Sequence, residues 1–484
     1  MQDENHVLQE PKYIEKTRLI DWVLGSLTWD EIWVSIAKIN EELDSPEQLT
    51  EATRVATINI MTRTILNYDK ANIHGKPVGN DNPDSEGLYD MEYHPYFTNF
   101  IVYMDSSWTR AQFDQLKEMG SRWFKASLRP IPKEHKRFFS NQVRLTLWGE
   151  LENSASPIKY KGRLLDISPE ELDGQTINEI YDLYSMPAYT EDGKVKIALE
   201  SLFANVSLST SRVYSVGNGN MIQIGGQRCI SPICNSSKPN EFQIMYDVGY
   251  HQRSHPSEGR MKYGAAVRNF HKIVPDAVFL SHWDDDHIMG CAYAQKELYD
   301  CQWFAPELTK KKYIKINAVR LATFLGYRKK LTIIRRDYNA RKLVEVTNGN
   351  NKIALYLGQN RNKKPITIEN CGGLVIEIVN DDGNGVITEN LFCGDVPYNA
   401  LSTVIWDKRI EGYSNLVVPH HGSAMDCSPL KTKKDGVATI CAINDLSKNR
   451  PNKAHQDALE NGALGYKVQV TQSAPTAWYD LVLV

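Results

Sequence analysis

Cysteine is missing from the first 228 residues of this 484-residue chain. All eight cysteines lie between Cys229 and Cys441; none forms a C-x-x-C pair, and their scatter is not that of a disulfide framework. Buried free thiols acting as small hydrophobes in a reducing compartment are expected. No apolar run approaches the roughly 18 residues a membrane helix needs. A strong net charge is also lacking, since 56 Lys and Arg against 59 Asp and Glu give −3. That balance exerts no global pull toward nucleic acid or membrane, so any basic surface must be local. The opening MQDENHVLQEPKY is acidic and polar, unlike a secretory signal. Neither internal repeats nor low-complexity tracts occur. These absences point to a cytoplasmic globular protein without membrane contact, long enough for two or three domains.

The texture changes along the chain and suggests domains at residues 1–205 and 206–484. The first region carries amphipathic patterns such as YIEKTRLIDWVLGSLTWDEIWVSIAKINEEL and TRVATINIMTRTILNY, which predict helices. The stretches FTNFIVYM and NQVRLTLWGEL read as strands around a helical TRAQFDQLKEMGSRWFKASL. A mixed, largely helical N-terminal domain is therefore expected. Beyond it, short apolar runs alternate with helical patterns: FQIMYDVG, AVFLS, GLVIEIV, LFCGD, NLVVP and TICAI. That alternation predicts a layered α/β (α+β) domain with buried sheets.

The chemistry concentrates at the ends of those runs. FLSHWDDDHIMG gathers three consecutive aspartates between two histidines. Adjacent carboxylates repel one another unless a positive charge sits among them, and a divalent cation is the natural candidate. His282 and Asp284 are two apart and would point the same way in extended chain. Asp286 and His287 follow at a helix start, where carboxylates are favoured. Asp247 in YDVG, Asp395 in CGDVP, and His420 with His421 in VPHHGS occupy matching strand-end positions. If the last strand stays extended, the two neighbouring histidines face opposite sides.

The order D-x-G, S-H-x-D-x-D-H, G-D, P-H-H-G-S resembles the metallo-β-lactamase fold superfamily over roughly residues 210–484. Within it, the chain is most similar to the branch typified by ComEC nuclease-like domains and phosphorylcholine esterases, with Asp284 where most members carry a histidine. The resemblance implies a four-layer αβ/βα sandwich holding two divalent ions, zinc or manganese. His282 and Asp284 would bind one ion and Asp286 and His287 the other, with Asp395 bridging. His421, next to the glycine, would complete one ion's ligands; His420 or Ser423 would face substrate, and Asp247 would orient ligands from behind. The histidine that the superfamily usually carries between these motifs is absent: none occurs between His287 and His420. His455, near Asn449, reads by itself as a capping or core residue. The resemblance adds phosphate contact or leaving-group protonation.

Carboxylate-rich two-metal sites suit phosphoryl chemistry. The expected function is thus a phosphodiester hydrolase using a metal-bound hydroxide, with Asp286, His420 and His455 catalytic. Residues Lys310 to Lys342 hold twelve cations against one acid, Asp337, with aromatics interleaved. This run is either a nucleic-acid surface, with Lys329, Lys330, Arg335 and Arg336 in contact, or a solvated face. Nucleic acid or a nucleotide-like phosphodiester is the expected partner, and the N-terminal domain could bind a protein. The alternatives are a small-molecule phosphodiesterase, acting on a cyclic nucleotide or choline-type ester, and a non-catalytic sensor that keeps the fold.

Overall fold

The computed structural model describes residues 32–39, 53–74, 97–104, 110–120, 122–130, 142–148, 163–217, 219–228, 241–250, 273–294, 297–308, 316–349, 351–359, 370–381, 383–442, 451–460, 465–471 and 478–483. The chain divides into two compact units, residues 1–186 with 310–327 and residues 187–309 with 328–484. This division differs from the expected 205/206 boundary in two ways. The helix Asp192–Phe203 belongs to the second unit, because Val195, Leu199 and Phe203 enter its core. The segment 310–327 leaves the second unit to join the first.

In the first unit, strands β1 (Ile32–Ile39), β2 (Thr53–Met61), β3 (Phe97–Met104), β4 (Phe124–Pro130), β5 (Gln142–Trp148) and β6 (Arg163–Glu171) close a barrel in the order β1-β2-β3-β5-β6-β4. The expectation of a largely helical region therefore fails for the described residues. TRVATINIM is rich in β-branched residues, which favour strand, and Ala56 and Ile58 through Met61 are all buried, which suits a strand packed on both sides. Helix begins only at Arg63, where Thr62 Oγ1 accepts from Ile65 N at 3.1 Å. Helix Ile316–Tyr327 carries Arg320, fully buried, with Nε 2.9 Å from Asp69 Oδ2. The Tyr184 hydroxyl donates to the same carboxylate oxygen.

The second unit holds two seven-stranded sheets. One contains β7 (Val206–Tyr214), β8 (Met221–Arg228), β9 (Glu241–Val248), β10 (Ala277–Phe279), β11 (Gln302–Pro306), β12 (Leu331–Ile334) and the last strand, β20 (Trp478–Val482), in the order β12-β11-β10-β9-β8-β7-β20. The other runs in sequence order through β13 (Arg341–Asn348), β14 (Asn351–Leu357), β15 (Leu374–Asp381), β16 (Ile387–Phe392), β17 (Asn415–Val417), β18 (Val437–Ile440) and β19 (Lys467–Val470). Each sheet is part parallel and part antiparallel: β9 to β12 run parallel in one, β16 to β19 in the other.

Ile244, Phe279 and Phe304 from the first sheet share one core with Leu355, Ile376, Phe392 and Val417 from the second. Across this core the Tyr246 hydroxyl donates to Leu374 O at 2.7 Å, and Leu374 N donates to Ser281 O at 2.9 Å. A further core, with Tyr398, Trp406 and Leu459, covers the outer side of the second sheet. The mixed α/β sandwich is the architecture expected. Its parallel strands end at a common edge, where α/β proteins place their ligands.

Candidate metal centre

Four strand ends deliver the site. Asp247 is the last residue but one of β9, His282 follows β10, Asp395 follows β16, and His420 and His421 follow β17. Two glycines allow the close approach. A Cβ on Gly394 would lie 2.4 Å from Ser281 Cβ, so only glycine brings Asp395 beneath the histidine loop. A Cβ on Gly249 would lie 1.9 Å from Asp286 O, which accounts for the glycine after Asp247.

One chain of hydrogen bonds fixes the imidazoles. Asp247, fully buried, accepts from Ser281 N at 2.6 Å, from Ser281 Oγ at 2.8 Å and from His287 Nδ1 at 2.7 Å. Ser281 Oγ gives its single proton to Asp247, so it accepts from His282 Nδ1, 3.1 Å away. His421 Nδ1 lies 2.8 Å from Cys441 O, a carbonyl that can only accept. All three rings thus carry a proton on Nδ1 and turn Nε2 toward the same space.

There the two oxygens of Asp395 face different partners. Oδ1 is 3.2 Å from His287 Nε2 and 3.7 Å from His421 Nε2, which in turn lies 3.4 Å from Asp286 Oδ2. Oδ2 is 3.8 Å from His282 Nε2 and 3.7 Å from His420 Nε2, and Asp284 Oδ1 is 3.8 Å from His282 Nε2. His282, His287 and Asp395 form one potential ligand set, and Asp286, His287 and His421 another. The Nε2 atoms of His282, His287 and His421, together with Asp395 Oδ1, are buried without a well-aligned hydrogen bond. A buried polar atom left so costs about 1–3 kcal/mol. Donors around a tetrahedral ion at about 2.0–2.2 Å lie about 3.3–3.6 Å apart, close to the separations found here. The residues present therefore fit divalent ions.

In the metal-free site, protons stand where a cation would. Burial pushes His282 down to about 3, helped by its neighbour His287, so it is neutral. Burial acts the same way on His287, but Asp247 and Asp395 outweigh it and raise that imidazole well above its usual range. Burial would raise Asp395; His420, His287 and His421 instead hold it far below the carboxylate range. Asp286 is likewise held low, against burial, by the His421 imidazole 3.4 Å away and by the charge of His287.

The structure departs from the sequence reading at three places. First, His420 and His421 are not in extended chain: their φ angles are 50° and 54°, the left-handed region that non-glycine residues seldom occupy. Both rings therefore turn toward Asp395 rather than to opposite faces. Second, His455 is buried, with Nδ1 2.8 Å from Ser423 O and Nε2 2.9 Å from the Tyr398 hydroxyl. Neither nitrogen is left for a substrate proton, and burial lowers the ring's pKa. His455 holds the turn after His421 in place; its helix is capped by Asn452, whose own N–H donates to Gly422 O at 2.7 Å.

Third, several cations of the basic run are engaged within the fold among the described residues. Arg320 is buried against Asp69 in the first unit. Arg328 pairs with Asp300 at 2.5 Å, Arg341 with both oxygens of Asp192 at 2.7 and 3.1 Å, and Lys342 with Glu345 at 2.6 Å. Arg336 is buried, and Arg335 stacks 5.3 Å from the Tyr189 ring. Of the four proposed contacts, only Lys329 and Arg335 are exposed, with Lys330 half-buried. Residues 310–315 and Asn449 lie outside the described residues.

Sequence reasoning missed Ser281 and Cys441. Ser281 stands directly before the histidine motif and was legible by position; the Cys441 contribution is a backbone carbonyl and leaves no side-chain signal. Ser423 Oγ is buried without a hydrogen-bond partner beside His421, where a substrate contact was expected.

No helix among the described residues is long and apolar enough to cross a membrane. No family model and no curated protein matches the sequence. Among solved structures, the chain is similar to a Thermotoga maritima protein described as a metallo-β-lactamase, at 11% identity over 39% of this chain and 68% of the other, with a TM-score of 0.21. It is also similar to the metallo-β-lactamase MIM-1 from Novosphingobium pentaromativorans, at 10% identity over 39% of this chain and 62% of that one, with a TM-score of 0.20. Overlaps this slight add nothing to what the placement of His282, Asp286, His287, Asp395 and His421 says of the site.

Proposed function

We propose that the chain is a metal-dependent hydrolase of phosphodiester bonds. The observation that carries this reading is the convergence of three buried Nε2 atoms, none with a well-aligned hydrogen bond, on one buried carboxylate, Asp395. Asp395 Oδ1, His287, His421 and Asp286 would hold one ion; Asp395 Oδ2, His282 and Asp284 the other. When bound, such a pair supplies positive charge that polarises a phosphoryl group and activates water. The chain's own residues prepare the site. Asp247 and Ser281 lock the tautomers of His287 and His282, Cys441 O locks that of His421, and Asp286 stays ionised beside His421. Ser423 Oγ offers a hydroxyl to a substrate oxygen.

Two substrate readings follow. A nucleic-acid polymer would need a continuous basic groove, and ion pairs already engage four of the run's twelve cations, Arg320, Arg328, Arg341 and Lys342. A small phosphodiester needs no such groove and is the better-supported reading. The test is hydrolysis of bis(p-nitrophenyl) phosphate and of single-stranded DNA by the zinc- or manganese-loaded chain. The small diester should turn over, and Asp395→Asn should abolish that turnover while leaving the circular-dichroism spectrum unchanged. Undiminished turnover in Asp395→Asn would sink the proposal. DNA cleavage that falls steeply with added salt would restore the polymer reading.

A further inference from the structure

The two sides of Asp395 are unequal. Oδ1 faces two imidazole nitrogens, from His287 and His421, with Asp286 beside them. His287 can join either ligand set; with its nearer contact, to Oδ1, assigning it there, His282 and Asp284 alone would leave the Oδ2 ion one imidazole poorer. No histidine between His287 and His420 exists to fill that place.

We propose that His420 is the missing metal ligand, so that the adjacent histidines of P-H-H-G each serve a different ion. The inference rests on the metal-centre reading above. His420 Nε2 lies 3.7 Å from Asp395 Oδ2, and His282 Nε2 lies 3.8 Å from the same oxygen. Both separations are within a small side-chain rotation of the roughly 3.3–3.6 Å expected between donors on one tetrahedral ion. The ring is one-third exposed, so it closes the cage from the solvent side.

The backbone supports this reading. His420 and His421 are consecutive left-handed residues, with φ and ψ of 50° and 42°, then 54° and 28°. Two successive residues in that conformation stand about 100° apart around the local axis rather than on opposite faces, and both Nε2 atoms come within reach of Asp395, at 3.7 Å each. Glycine takes such angles without strain, whereas a side chain there is disfavoured. Strain of this kind persists where surrounding structure fixes it, commonly at functional sites. Here the His420 N–H donates to Gly394 O at 3.0 Å, and the Ser423 N–H donates to His420 O at 2.9 Å. The first bond anchors the turn to the residue before Asp395, and so fixes His420 relative to the carboxylate it would share.

A proton-donating or substrate-binding His420 would leave metal binding unchanged, and this separates the two roles. The full chain is titrated with Zn²⁺ or Mn²⁺ by equilibrium dialysis, with total metal measured by elemental analysis. His420→Gly should weaken one of two sites by about 100-fold or more, beyond the roughly 10–100-fold typical of removing a residue that only supports a ligand. The other site should keep its affinity. The metal-free variant should melt no lower than the parent, because glycine accepts the left-handed turn. His282→Ala should weaken the same site, and adding His420→Gly to it should remove no further equivalent. His421→Ala should weaken the other. His420→Asn, which also tolerates this backbone, serves if the glycine variant does not fold. Two undisturbed sites in a folded His420→Gly or His420→Asn chain would overturn the assignment. A parent chain that takes up no divalent ion would instead remove the metal-centre reading itself.

Discussion

Each unit buries a cluster of charge, and the two clusters are finished differently. In the barrel unit, Asp69 is fully buried yet complete: Arg320 Nε lies 2.9 Å away and the Tyr184 hydroxyl donates to the same oxygen. In the sandwich unit, Asp395 is as deeply placed, but Oδ1 and the three Nε2 atoms around it have no well-aligned partner. The first cluster pairs its carboxylate with a guanidinium and can serve structure alone, although Arg320 Nη2 is itself buried without a well-aligned hydrogen bond. The second is ordered from behind, through Asp247, Ser281 and Cys441 O, and left open in front. Buried polar groups that are held in place and unsatisfied mark a site that awaits a partner.

The comparison breaks most directly at the ion pair. Arg320→Met leaves Asp69 buried without its counter-charge, which should cost about 3–5 kcal/mol. The denaturant midpoint of the barrel unit should fall sharply, and metal content should not change. Asp69→Leu combined with Arg320→Met should recover much of that loss, since the pair is structural. A loss of metal in either variant would blur the distinction between the two clusters.

A smaller effect is expected behind the metal centre. Asp247→Asn keeps the shape but removes the acceptor charge that holds His287, and metal affinity should drop about 10–100-fold. The pH dependence has a definite sign. Because Asp247 and Asp395 raise the metal-free His287 pKa, a proton must leave Nε2 before an ion can bind. Affinity should therefore rise with pH until that pKa is passed, then level off. His282, neutral down to about 3, adds no competition near neutrality. In Asp247→Asn the rise should end at a lower pH, which dialysis at several pH values would check.

His455 should give the smallest effect on chemistry. His455→Phe removes two interior hydrogen bonds, each worth about 0.5–1.5 kcal/mol, and should lower the melting temperature. Turnover per bound metal should change by no more than a few-fold. A loss in the roughly 10²–10⁴ range of general acid catalysis would restore its expected role as proton donor.

What the sequence made legible follows from where the partners of each residue lie. Histidines and aspartates at strand ends are readable because His282, Asp284, Asp286 and His287 stand within six residues. The sandwich was readable because its central strands are short apolar runs ending in glycine or polar residues. Which cations of the basic run are paired could not be read, because some of the acids that meet them are distant: Asp69 lies 251 residues from Arg320, and Asp192 lies 149 from Arg341. Strands β1 and β2 read as helix because the stretches that contain them are amphipathic, while tertiary pairing in the barrel decided otherwise. The left-handed pair at His420 and His421 could not be read, since no glycine marks those two positions.

The central claim is that the open cluster around Asp395 is a metal centre. Elemental analysis of the purified full chain, before and after exhaustive chelation and then after reloading, tests it most directly. The account predicts about two divalent ions per chain. They should be removed by the chelator without unfolding, restored on reloading, and lost in Asp395→Asn. A folded parent chain that binds no divalent ion at any stage, or an Asp395→Asn chain that binds as many as the parent, would contradict it.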